Sequence, residues 1–208
     1  MRSLHFLCLA MSVAGTAAAE PSYWRVTGVA SDDTLNVRQG PSASSADIGD
    51  VPHDARGIEV GATDASGDWG RINWQEGDGW LAMRFLAPDP QPLIAGTELP
   101  QGLLCAGTEP FWSVRFSARS AVFEDMASTG DMLTLARSFT PVARGPFPVM
   151  MSHRTPESGS LAVIEPRDCS DGMSDLTYPW RILYLFSNAD GDRLLDGCCR
   201  LPLDVGQN

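Results

Sequence analysis

Polar and apolar residues alternate with a period of two at many points along this chain, and helical periodicity is weak throughout its second half. Leu35 and Val37 alternate with Asn36 and Arg38, and Gly40-Pro41 then breaks the pattern into a loop. Ile48, Val51, the Ile58/Val60 pair, the Trp69/Arg71/Asn73 alternation and the run from Trp80 to Leu86 mark further short strands, with Gly or Asp between them. Their spacing suits a small barrel over 22–87. Val114/Phe116, Met132 to Leu135, Leu161/Val163 and Ile182 to Phe186 repeat the strand pattern over 102–203. Asn188-Ala189-Asp190-Gly191 has turn composition and predicts a hairpin joining Ile182–Phe186 to Arg193–Leu195. The spaced prolines of 88–101 predict an extended, semi-rigid linker. The expectation is an all-β chain of two domains, the second a β-barrel or β-sandwich.

The N-terminus departs from this pattern. Arg2 gives a positive start, Leu4 to Val13 is mostly apolar, and Ala17-Ala18-Ala19 supplies small residues for signal-peptidase cleavage after Ala19. Cys8 follows Phe6-Leu7 rather than the small residues of a lipobox, so it is expected to leave with the signal peptide at 1–19. The apolar run is shorter than the ~20 residues of a membrane-spanning helix, and no later segment is long enough to span a bilayer. Removing Arg2 from the 15 basic residues leaves 14 against 26 acidic ones, and lysine is absent. Such a surface argues against nucleic acid and anionic lipid as partners.

Four of the five cysteines survive this processing, Cys105, Cys169, Cys198 and Cys199, an even number that predicts two disulfides in an exported chain. A bond between the neighbours Cys198 and Cys199 is set aside on geometry. If 194–201 is a strand, Cys199 shares a face with Leu195 and Leu201, whereas Cys198 points the other way with Asp196 and Arg200. Cys105 follows the apolar Leu103-Leu104 and Cys169 lies in a polar stretch, which pairs Cys105 with Cys199 and Cys169 with Cys198.

Asn36-Val37-Arg38-Gln39-Gly40-Pro41-Ser42, Asp68-Trp69-Gly70-Arg71-Ile72, Gly79-Trp80-Leu81 and Phe85-Leu86 resemble, in order and separation, the bacterial SH3-like domain, a cell-envelope binding module. The resemblance covers 22–87 and implies a small SH3-like barrel that recognises a peptidoglycan peptide or glycan. Tyr23, Trp24, Trp69, Trp74 and Trp80 supply aromatic surface, with Trp80 assigned to the core. Arg38 and Ser42 beside the Gly40-Pro41 loop, with Trp69 and Trp74, are the candidate ligand contacts. The acidic tip Trp74-Gln75-Glu76-Gly77-Asp78 departs from the family and is expected to weaken binding to anionic polymers.

Gly107-Thr108-Glu109-Pro110-Phe111-Trp112, Cys169-Ser170-Asp171-Gly172-Met173-Ser174-Asp175 and Gly197-Cys198 resemble a family of envelope proteins from Gram-negative bacteria. That resemblance implies a fold and a periplasmic compartment, and no activity. Glu109, Asp171 and Asp175 are candidates to converge with Ser174 and Tyr178 into a polar pocket walled by Trp112, able to hold a cation or an amino-sugar. Turn chemistry competes with that reading, since Thr108-Glu109-Pro110 suits a turn and Asp171-Gly172 a loop.

Catalysis and metal binding find little support. Asp196-Gly197-Cys198-Cys199-Arg200 resembles the nucleophile string of L,D-transpeptidases, but Asp196 stands where the activating histidine belongs. His53 and His153 fall in different domains, which argues against a zinc or copper site. Arg193 occupies the glycine position of a calcium loop beginning at Asn188. The sequence therefore predicts a non-enzymatic binding protein of the envelope, without metal or cofactor, whose partner is peptidoglycan. The competing expectation is a protein that interacts with or inhibits a basic envelope partner through its second domain.

Overall fold

The computed structural model describes residues 20–127, 129–143 and 145–203. The expected signal peptide at 1–19, with Cys8, lies outside the described residues. The fold is almost entirely β, as the alternation predicts, and its one helical turn is the 3₁₀ segment Met83–Phe85 among the described residues.

The first unit contains β1 (Ser22–Val26), β2 (Thr34–Arg38), β3 (Asp47–Pro52), β4 (Ile58–Val60), β5 (Ala62–Thr63), β6 (Trp69–Trp74), β7 (Gly77–Ala82) and β8 (Leu86–Pro88). They form two antiparallel sheets, ordered β4-β1-β8 and β3-β2-β7-β6-β5. Inward positions Leu35, Val37, Val51, Ile58, Val60, Ile72 and Leu81 meet in one small core. Trp80 is not part of it. Because Leu81 takes the inward position, Trp80 falls on the opposite face, half-buried between Arg38 and Arg71 on the flanking strands.

The second unit is a closed antiparallel barrel, which decides between the two architectures the sequence allowed. Its strands are β9 (Leu104–Thr108), β10 (Phe111–Phe116), β11 (Ser120–Asp125), β12 (Thr129–Phe139), β13 (Val149–Arg154), β14 (Gly159–Cys169), β15 (Tyr178–Asn188) and β16 (Gly191–Arg200). The hairpin between β15 and β16 turns at Asn188–Gly191, as its composition predicts. Closure comes from β16 pairing with β9 at Cys198↔Ala106, Cys199↔Cys105 and Arg200↔Leu104.

Side chains fill the barrel. Trp112 lies parallel to Tyr184 at 5.5 Å, Tyr184 stacks on Phe123 at 5.5 Å, and Phe123 stacks on Phe186 at 4.2 Å. Arg193 covers this column, its guanidinium 5.3 Å from the Phe186 ring and 2.6 Å from the Asp125 carboxylate. Cys105 bonds Cys199 within this interior and Cys169 bonds Cys198 on the outer side, the pairing that the faces of the last strand predict.

The stretch 88–101 differs from the extended linker expected of its prolines. Leu93 bridges Pro100, the Ile94 amide donates to Leu99 O at 2.9 Å, and the Ala95 amide donates to Ala118 O at 2.9 Å. Ile94, Leu99 and Leu103 are buried in the barrel core. An open barrel end offers these apolar side chains a dry site that an extended connector does not, so the segment folds back as a plug.

Gly107 and Gly197 let the Trp112 ring lie against the backbones of β9 and β16. A Cβ on Gly197 would stand 2.8 Å from that ring and far inside van der Waals contact with Ala106 O. Gly197→Ala is expected to cost about 3 kcal/mol of stability, measured as a lowered denaturation midpoint, because the paired strands leave no room to relax.

Candidate functional site

The two units meet along the β6–β7 hairpin and β4 of the first and the 168–180 region and 200–203 of the second. The Asp78 carboxylate accepts a hydrogen bond from the Thr177 amide at 3.0 Å, and Asn73 Nδ2 donates to Thr177 O at 3.0 Å. The Asp175 amide donates to Glu76 O at 3.1 Å, and Arg71 pairs with Asp168 at 2.9 Å. The acidic tip is thus a docking element for the barrel, with Asp78 engaged.

Glu59 lies at the centre of this junction and is only 8 % exposed. One carboxylate oxygen accepts Trp180 Nε1–H at 2.9 Å and the Tyr23 hydroxyl at 3.2 Å; the other accepts the Leu201 amide at 2.8 Å. Burial pushes its carboxyl up to about 7, against the pull of these three donors and of Arg200. Burial and the neighbouring Glu59 charge in turn raise Tyr23 far above the ordinary phenol value. The Leu201 contact anchors the segment from Arg200 to Leu203 across the first unit.

That segment forms one wall of a cleft of about 840 Å³. Arg200, Pro202 and Leu203 face residues of the first unit that include Asp32, Asp33, Asp50, His53 and Trp74. Trp74 is held by its indole N–H, which donates to Ile48 O at 3.2 Å, and by close packing on Gly49. The guanidinium of Arg200 forms no salt bridge among the described residues, feels the charge of the buried Glu59, and lies 5.8 Å from the Tyr178 ring. Asn73 Oδ1 also borders the cleft and is buried without a hydrogen-bond partner.

Of the candidate contacts in the first unit, the structure brings only Trp74 to this cleft. Arg38 turns back to its own loop, donating to Ser45 O at 3.4 Å and lying 3.6 Å from Asp47. Ser42 organises the same loop through Ser44, and Trp69 lies at the start of β6.

The second candidate group separates in the same way. Asp171, Ser174 and Tyr178 do converge: Asp171 accepts the Met173 and Ser174 amides at 3.0 and 2.9 Å, the Ser174 hydroxyl at 3.0 Å and the Tyr178 hydroxyl at 2.9 Å. These donors outweigh burial and hold its carboxyl down at about 2. Thr108 Oγ1 donates to Asp171 O at 3.0 Å, so the two motif strings do meet. Trp112, however, points into the barrel and is no wall of this group, because it continues the inward row Trp112, Val114, Phe116. Asp175 is exposed and Glu109 lies across an open groove of about 670 Å³ floored by Cys169 and Cys198. Both carboxylate oxygens of Asp171 accept hydrogen bonds, from its own loop and from Tyr178 at the start of β15, which is turn chemistry.

No set of three or more His, Cys, Asp or Glu side chains is placed to hold a metal ion among the described residues, and no helix there is long and apolar enough to cross a membrane. Comparison with protein-family models, curated proteins and solved structures finds no match for the chain.

Proposed function

We propose that this chain is an exported, non-enzymatic binding protein of the cell envelope, periplasmic in a Gram-negative bacterium, and that the cleft between its two units takes a peptidoglycan stem peptide. The observation that carries this reading is the charge layout of the cleft. Asp32, Asp33 and Asp50 of one unit suit an ammonium group, and Arg200 of the other, without a salt bridge among the described residues, suits a carboxylate. Trp74 offers an apolar face between them. A short peptide bearing both charges matches that layout, and the SH3-like motifs of 22–87 point to the same polymer. The disulfide bonding of all four cysteines among the described residues supports a role without thiolate chemistry.

Calorimetric titration of the full mature chain with a soluble stem peptide, alongside co-sedimentation with isolated sacculi, tests the reading. Arg200→Ala and Trp74→Ala are each expected to weaken binding about tenfold or more, and Arg38→Ala to leave it unchanged. Absence of binding by the intact protein would overturn the proposal and favour a basic protein partner, drawn by the net charge of −11.

A further inference from the structure

The outer face of the barrel carries a second feature, remote from the cleft. Met150, Val163 and Leu183 lie side by side on β13, β14 and β15, and Leu161, Leu185 and Leu194 lie side by side on β14, β15 and β16. Leu183 and Leu194 are 38 % and 70 % exposed. In a chain with 26 acidic residues, these six positions are all apolar, and the first row meets a charge only beyond Leu183, at Asp196 of β16. A continuous apolar surface of this kind marks a contact site.

The second row runs into a depression of about 480 Å³. Gly159, beside Arg154 on one strand and Ser187 on the other, contributes no side chain and so forms its hollow. Leu161 and Leu185 wall one side; Arg137 and Arg154, both exposed, wall the other. Neither arginine has an ion pair or a side-chain hydrogen bond among the described residues, whereas six other arginines do pair with carboxylates.

We infer that this depression binds one molecule of a long-chain carboxylate. Its head is held by Arg137 and Arg154, whose planar guanidinium groups match a carboxylate in two parallel hydrogen bonds. Its acyl chain lies across Leu161, Leu185 and Leu194, a path of about 10 Å at the usual strand spacing. A bilayer surface does not fit, since the net charge of −11 repels an anionic membrane as a whole while a single carboxylate meets the local field of the two arginines.

The test is calorimetric titration of the full mature chain with dodecanoate below its micellar concentration. Two further arms use dodecyltrimethylammonium, which has the same tail and the opposite head charge, and vesicles of anionic phospholipid. The expected result is saturable binding of dodecanoate with one site, and little of the cationic amphiphile. Arg137→Gln with Arg154→Gln should weaken it about tenfold or more, and Leu194→Asp should weaken it as well, with melting temperatures unchanged. These are exposed positions, so the variants fold. Equal binding of both amphiphiles, no dodecanoate binding, or affinity unchanged in the arginine variant would each overturn the inference. Sedimentation of the protein with the vesicles would also overturn it and assign the face to a membrane.

Discussion

Replacing Cys105 and Cys199 together by alanine is expected to lower the free energy of unfolding by about 4 to 5 kcal/mol. The two positions are 94 residues apart, so the bridge removes a large share of the freedom of the unfolded chain. The Cys169–Cys198 bridge spans 29 residues and lies on the outer side, so the matching double variant should lose about 1 kcal/mol less. Paired alanines, rather than single ones, avoid leaving a lone thiol in the core. Urea unfolding of the two double variants reads the difference. Equal losses, or a larger one at Cys169 and Cys198, would show that chain entropy does not set the order.

Glu59→Ala should have a comparable effect for a different reason. It strands Trp180 Nε1–H, the Tyr23 hydroxyl and the Leu201 amide in a dry junction, where each unsatisfied donor costs about 1 to 3 kcal/mol. A total loss of about 3 to 5 kcal/mol is expected in guanidinium unfolding. Stem-peptide binding should fall with it, because Leu201 anchors the wall that carries Arg200.

Glu59 also sets a pH dependence whose sign is opposed by His153. The Glu59 carboxyl rises from 4.5 to about 7 in the folded protein, so folding takes up a proton between those values and stability falls as pH rises through that window. His153 is 2 % exposed beside the Phe116 ring, and burial lowers it from 6.5 to about 4. Its contribution rises with pH over its own window. From 4.5 to 6.5 the two slopes oppose each other, each up to about 1.4 kcal/mol per pH unit. The wild-type protein should therefore show nearly constant stability there. Glu59→Gln should become more stable with rising pH, and His153→Leu less stable. Chemical unfolding at several pH values checks both, and parallel curves for the two variants would refute the assignment.

Much of the barrel was legible because one face of each strand is buried, which writes a period of two into the chain. Cys198 and Cys199 are the best instance: their opposite faces, matched to the apolar setting of Cys105 and the polar setting of Cys169, named their partners. Trp112 carried the same signal, since Val114 and Phe116 share its side of β10, but its place in a distinctive string drew attention from its alternation. Glu59 carried none. Between Ile58 and Val60, a glutamate reads as the solvent face of a strand, and only the arrival of the barrel buries it. Arg200 was legible as the outward neighbour of Cys199, while its part in a cleft depends on how two units dock. Ile94 and Leu99 were hidden by the prolines around them, which announce local stiffness and say nothing of where the apolar side chains go.

The seam between β9 and β16 has a kinetic consequence. All other barrel strands precede β16 in the chain, so a protein emerging from its N-terminal side passes through a stage with fifteen strands made and an unpaired edge on either side of the curved sheet. The contact that closes it joins positions 94 residues apart, and such long-range pairing is slow to form. The Leu201 amide reaches Glu59 only once β16 is seated, so the segment 200–203 joins the junction in the same late step. Barrel closure and completion of the cleft become one event, and a chain stalled before it lacks the Arg200 wall of the cleft but does offer two open edges to its neighbours.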